Sequence, residues 1–330
     1  MSPSILLPDS DRSFLIRKTS AQLSLSPAIV EKDYWLCLLL SYLFNDSPYK
    51  DSLLFKGGTC LSKCFDLIQR FSEDLDVSIA WDILAYSGND PLAYRNRTQR
   101  KKFNDEARQE TDDFVKGPFL ASLDKGLTEA WGFKPTITPS SESIATLIVE
   151  FPHEFTTSYI RPTLLLEMGS LSAKGPVVQR QIVPMAASFY SFSPISVRCL
   201  APERTFWEKI SILYRETQRP SQKMTPRRYS RHFYDIYRLS FSPYYLSALS
   251  QPNILDDVIL MKDTFFPDTW MKCAEMKKNF TIIPGEERLQ ALEQDYEQMQ
   301  FMLYGPVPSW QTILFRLREV EKDIREAILR

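Results

Sequence analysis

Two glycines and two aspartates carry the first chemical signal in this sequence. Phe55-Lys56 runs into Gly57-Gly58-Thr59, and Asp74-Leu75-Asp76-Val77 follows. Ser52 to Phe55 reads as a short buried strand, and the glycine turn after it opens a helix. Such a turn brings backbone N–H groups up to a phosphate. The next strand carries Asp74 and Asp76 and continues through Leu75 to Ala80. Alternation sets both carboxylates on one strand face, with Cα atoms about 6–7 Å apart by strand rise. That arrangement suits a hard cation such as Mg2+. A phosphate turn beside a metal-binding pair is what nucleotidyl transfer requires. The metal polarises the α-phosphate, and the turn holds the remaining phosphates. Alone, Gly-Gly is an ordinary tight turn, and Asp-x-Asp an ordinary loop or cap. The ordered series of strand, Gly-Gly-Thr, helix, Arg70, Asp-x-Asp and strand is far more specific.

These residues need elements to position them. Ser26-Pro27 is a helix start, an N-cap residue followed by proline, and the helix runs to about Phe44. The helix after the glycine turn extends about ten residues, to Arg70. Residues 92–125 read as helical, with Arg95, Arg97, Arg100, Lys101 and Lys102 as a basic cluster. Ile144 to Phe151, Thr163 to Met168 and Ile195 to Leu200 read as strands. Beyond residue 200 the texture becomes helical. Pro202 opens a helix with Phe206, Ile210 and Leu213 on one stripe, and residues 215–231 form a polar connection. Leu289, Leu292, Tyr296 and Met299 mark one late helix, and Ile313, Leu317, Val320, Ile324 and Ile328 mark the last. The expected fold is α/β (α+β): a mixed sheet with helices over residues 1–200, then an all-helical region over 201–330.

Composition removes several function classes. Forty Lys+Arg balance 41 Asp+Glu, so a generally basic nucleic-acid coat is excluded and any such contact is local. The most apolar run, Trp35 to Phe44, spans ten residues, where a membrane span needs about 20. The first residues show no basic stretch leading into an apolar one, so no signal peptide is expected. Five scattered cysteines and two histidines argue against a zinc centre and for reduced thiols in the cytoplasm.

The chain resembles the AbiEii/AbiGii-type nucleotidyltransferase toxins (MenT-like), members of the polymerase-beta-like superfamily. The likeness lies in SPAIVEKDYWLCLLL (26–40), FKGGTCLSKCFDLIQRFSEDLDVSI (55–79), RPTLLLEMG (161–169), ERTFWEKISILY (203–214) and RHFYDIYRL (231–239). Fifteen residues separate Gly58 from Asp74, more than the superfamily pattern has, which suggests a longer connecting helix. The resemblance implies an N-terminal nucleotidyltransferase domain with a helical C-terminal region closing a cleft. It implies transfer from an NTP with Mg2+ or Mn2+ onto RNA, the 3′ end of tRNA first among acceptors. An antitoxin partner and a role in phage defence follow from the same resemblance. Gly57, Gly58 and Thr59 match its phosphate turn, Asp74 and Asp76 its metal pair, and Lys209 its downstream lysine. Asp235-Ile236-Tyr237-Arg238 matches its Asp-x-x-Arg/Lys motif.

The remaining candidates come from their surroundings. Lys209 lies on the apolar stripe with Phe206, Ile210 and Leu213, so it either snorkels outward or reaches a polar site. Asp235 shares a stripe with His232, Ile236 and Leu239. Lys209 is read as a triphosphate ligand and Asp235 as the residue that positions it, the acceptor or a base. Glu167, late in a strand of leucines, is the third metal carboxylate or a strand-end surface residue. Arg70 binds phosphate or pairs with Glu73 or Asp74; Lys56 and Lys63 are equally open. Arg219, Lys223, Arg227 and Arg228 are RNA-binding candidates, with Tyr229 as a base-stacking neighbour. A metal-dependent phosphohydrolase or nuclease, a protein acceptor, and a non-catalytic relic are the rival readings.

Overall fold

The computed structural model describes residues 6–72, 74–84, 90–157, 160–172, 175–271 and 273–329. The chain divides into two compact units. A sheet unit comprises Met1–Cys64 and Ser72–Cys199, and a helical unit comprises Phe65–Phe71 and Leu200–Arg330.

Among the described residues, seven strands form one mixed sheet. They are β1 (Leu53–Lys56), β2 (Asp74–Ile79), β3 (Thr136–Pro139), β4 (Thr146–Glu150), β5 (Thr163–Gly169), β6 (Val177–Ile182) and β7 (Ile195–Leu200). Their order is β3-β4-β5-β2-β1-β7-β6. β2 runs parallel to β5 and β1 parallel to β7, while β1–β2, β3–β4 and β4–β5 are antiparallel. One face of the central strands buries Leu75, Val77, Leu164, Leu166 and Met168. The alternate residues Asp74, Asp76, Leu165 and Glu167 are only half-buried. The sheet therefore has a dry face and a wetter, acidic one.

The helices of this unit are α1 (Asp9–Leu23), α2 (Pro27–Ser41), α3 (Gly57–Lys63), α4 (Arg97–Phe114) and α5 (Leu120–Trp131). α2 is buried nearly all round. Its Trp35 ring stacks on Phe151 at 5.6 Å and meets Trp131 at 5.1 Å. The charged residues before its apolar run are buried too, each with a partner. Glu31 accepts from the backbone N–H groups of Glu154 and Phe155. Lys32 donates to the Arg161 carbonyl, and Asp33 accepts from Lys63 and the Met185 N–H. Burying charge costs little only with such partners. Among the described residues, no helix is long and apolar enough to cross a membrane.

The helical unit contains α6 (Pro202–Thr217), α7 (Arg231–Leu239), α8 (Pro243–Leu249), α9 (Asn253–Phe265), α10 (Glu286–Met299) and α11 (Trp310–Leu329). In α11, Ile313, Leu317, Val320 and Ile324 are fully buried, as their spacing predicts.

The expected helix from Gly57 to Arg70 is corrected. α3 ends at Lys63, and Asp66 adopts a left-handed φ of 52°, which no continuing helix tolerates. Residues 65–71 belong to the helical unit. There the Phe71 N–H donates to the Met302 carbonyl at 2.7 Å, and the Tyr304 N–H to that of Gln69 at 3.0 Å. The long spacing between Gly58 and Asp74 is an excursion into that unit, not extra helix.

Candidate active site

The acidic face is built by strand register. Asp76 of β2 pairs with Glu167 of β5, and with Lys56 of β1 on its other side. Residues paired across adjacent strands share a face, at strand spacings of about 4.8 Å. Asp74, two residues earlier, lies on that same face. Three carboxylates thus share one strand face, with Lys56 beside them.

The glycine turn is shaped by this patch. Gly57 has φ +77°, and a Cβ there would stand 1.9 Å from Asp76 Oδ2. Glycine is required twice over, for its left-handed backbone and because the Asp76 carboxylate occupies the space of a side chain. The Thr59 hydroxyl donates to the Asp74 carbonyl at 2.5 Å, which ties the turn to the start of β2. Lys63, at the far end of α3, is held 2.6 Å from Asp33. Its partner is a buried carboxylate of α2, so Lys63 anchors α3. Carboxylate oxygens from two neighbouring strands, half-exposed beside the glycine turn, are the donor type that a hard divalent cation takes.

A second cluster lies wholly inside the helical unit. Asp235 on α7 is fully buried. Its Oδ2 is 2.6 Å from Lys209 Nζ on α6. Its two oxygens accept from Arg70 Nε at 2.6 Å and Nη2 at 2.8 Å. Burial alone would raise the Asp235 pKa, but Arg70 and Lys209 outweigh it and hold the carboxyl well below its ordinary value. Lys209 is shifted down, chiefly by burial and then by Arg70, with Asp235 opposing. The two partners move in the same direction. Asp235 is ionised, because two cations face one carboxylate. His232 is half-buried, and desolvation first, with Lys209 and Arg231 adding to it, shifts its pKa well below the ordinary histidine value. Arg70, considered as a partner for Glu73 or Asp74, takes Asp235 as its bidentate partner; Glu73 lies outside the described residues.

The connector after α6 is pinned, with less free positive charge than its sequence suggests. Arg219 is buried against Glu216 at 2.6 Å and lies over the rings of Tyr229 and Trp270. Glu216 also holds Arg288 and the Thr225 hydroxyl. Asp295 of α10 accepts from the Ser230 N–H and hydroxyl and from the Arg228 N–H. Tyr229 is buried, which removes it as a base-stacking platform. Arg219 turns its side chain onto Glu216, while Lys223 and Arg227 are exposed and Arg228 half-exposed. Arg227 and Arg219 border a cavity of ≈ 570 Å³ lined also by Arg288, Asp295 and Gln298. In the other basic cluster, Arg95 and Arg100 donate to the backbone carbonyls of residues 90–93. Lys101 pairs with Asp105 there. That cluster is an internally satisfied helix start.

Sequence reasoning did not single out Asp33, Glu216 or Asp295. The signal for Asp33 was a run of three charges inside an apolar helix. For Glu216 it was one acid among many bases.

A glycine turn beside strand carboxylates is an arrangement suited to nucleotidyl transfer. The family profile described as "Nucleotidyl transferase AbiEii toxin, Type IV TA system" matches residues 38–316. The chain belongs to this family of toxins from type IV toxin–antitoxin systems. No curated protein matches it by sequence. Among solved structures it is similar to MenT4, a nucleotidyltransferase toxin from Mycobacterium tuberculosis H37Rv. That match has 17% identity and a TM-score of 0.48, and covers 96% of this chain and 88% of MenT4.

Proposed function

We propose that this toxin uses Mg2+ to transfer a nucleotide from an NTP to an RNA acceptor in the cytoplasm, with the 3′ end of tRNA as the acceptor. The observation that carries the reading is the placement of Asp76. It sits beside Glu167 across two parallel strands, with its carboxylate over Gly57. Asp74, Asp76 and Glu167 would hold the metal, which when bound neutralises phosphate charge and polarises the α-phosphate. The N–H groups of the turn Gly57-Gly58-Thr59 bind phosphate oxygens, and Gly57 keeps that approach open. Lys209 supplies positive charge to the triphosphate, and Asp235 positions Lys209. Arg70 completes the hold on Asp235 and is a positioning residue. Lys223, Arg227 and Arg228 bind acceptor phosphates. Growth arrest released by an antitoxin, including arrest during phage infection, is the setting that family membership supports.

The test is transfer of label from each NTP to total RNA, to purified tRNA and to protein, with Mg2+, Mn2+ or chelator. Labelled tRNA that appears only with a divalent ion supports the reading. Label in protein, or NTP consumption without any labelled acceptor, overturns the RNA assignment.

A further inference from the structure

Cys60, Cys64 and Cys199 are distant in sequence or unremarkable in spacing, yet their sulfurs all lie within 4.8 Å of one another. Cys60 and Cys64 are one helical turn apart along α3 and its C-cap, so they share a face. Cys199 is the register partner of Phe55 across β1 and β7. The strand that leads into the phosphate turn therefore also carries the neighbour of the third thiol. Cys60 and Cys199 are buried and Cys64 is half-buried. All five cysteines are free thiols, and the other two, Cys37 and Cys273, do not join this group.

We propose that Cys60, Cys64 and Cys199 form a three-thiolate site for a soft d10 cation, with Cu+ favoured over Zn2+. Three sulfurs about 2.3 Å from a common ion lie about 4 Å from one another. The observed array needs at most a sub-ångström contraction to reach that geometry. Thiolate donors select soft ions. The donor count favours Cu+, because structural Zn2+ takes four protein ligands and, among the described residues, the group supplies three. Each ligating thiol gives its proton to solvent, so binding strengthens as pH rises. Lys63 and Arg180 bring positive charge to Cys64 and Cys199 respectively, which offsets the negative charge of the filled site. A bound ion would clamp α3 to β7. Because α3 starts with Gly57-Gly58-Thr59, the clamp bears directly on the phosphate turn.

The experiment is anaerobic titration of the full-length, reduced protein with Cu+ and separately with Zn2+, read by native mass spectrometry. Cd2+ serves as a thiolate-absorption probe. One Cu+ per chain is expected, with a Cd–thiolate band of three-sulfur intensity. Cys64→Ser, the variant least disruptive to the core, is expected to weaken Cu+ binding at least tenfold with unchanged circular dichroism. Failure of the wild-type protein to retain one Cu+ overturns the proposal, as does a Cd2+ band of one-sulfur intensity. Equal Cu+ affinity in Cys64→Ser does the same, and so does a Zn2+ affinity above that for Cu+.

Discussion

The acidic face of the sheet and the ion-pair cluster of the helical unit use the same kinds of residue under opposite conditions. Asp74, Asp76 and Glu167 are carboxylates gathered on one half-exposed face. Asp235 is a carboxylate enclosed entirely, matched by Lys209 and a bidentate Arg70. Like charges side by side on a sheet cost stability, a cost that the proposed metal would offset in the first arrangement. Opposite charges buried together are costly to break, so the second arrangement also stabilises the fold around Lys209. Substitutions in the two regions should therefore fail in different ways.

The largest effect is expected on the acidic face. Asp76→Ala should reduce transfer to background while the melting temperature stays level or rises, since one of several neighbouring like charges is removed. Transfer assays and a thermal melt, run together, check this. A melt lowered by many degrees would make Asp76 a structural residue and erase the contrast.

In the helical unit, Asp235→Asn should lower stability by about 3–5 kcal/mol, because two buried cations lose their counter-charge. Denaturant titration measures it. The sign of the pH dependence follows from the depressed pKa of Asp235. Its contribution is intact above the ordinary aspartate value of about 3.9 and is lost as pH falls towards the lower folded value. The stability gap between wild type and Asp235→Asn should therefore be constant from pH 7 to about pH 5 and shrink only in stronger acid. A gap that closed near neutral pH would mean that Asp235 is not ionised.

Lys209→Ala should cost about a hundredfold in transfer, the order expected for removing one electrostatic contact to a reacting phosphate. Lys209→Arg should recover part of it, limited by the shape of guanidinium. Equal rates in wild type and Lys209→Ala would confine Lys209 to the fold and sharpen the contrast between the two regions.

The smallest effect belongs to the connector. The double change Lys223→Ala, Arg227→Ala should weaken RNA binding and lower the salt slope by about 1.8, close to one unit per phosphate contact. NTP binding should be unaffected. Arg219→Ala should instead destabilise the protein, because Arg219 neutralises buried Glu216. Anisotropy titrations at several salt concentrations, with a melt for Arg219→Ala, separate these outcomes.

Much of the architecture was legible from local pattern. The strands at 144–151, 163–168 and 195–200 have apolar cores that local spacing reveals. The stripes of α6, α10 and α11 follow the helical period. β3 and β6 were not legible, since both lie at sheet edges and carry alternating exposed residues. α1 also escaped, because its buried set includes Arg12, Thr19 and Ser20 beside Leu15 and Ile16. The acid that neutralises Arg70, Asp235, is brought to it by helix and loop packing, which no local pattern encodes, while Arg219 turns back onto Glu216.

The sequence by itself determined the glycine turn, the spacing of Asp74 and Asp76 on one face, and the apolar stripes that bear Lys209 and Asp235. These are local properties, set by a two-residue strand period and a 3.6-residue helix period. Tertiary structure alone decided that Glu167 lies beside Asp76 and that Arg70 closes on Asp235. It also decided that Cys199 meets Cys60 and Cys64. Each of these pairings depends on strand register or helix packing across 91 to 165 positions of chain, and no local period carries information over that distance.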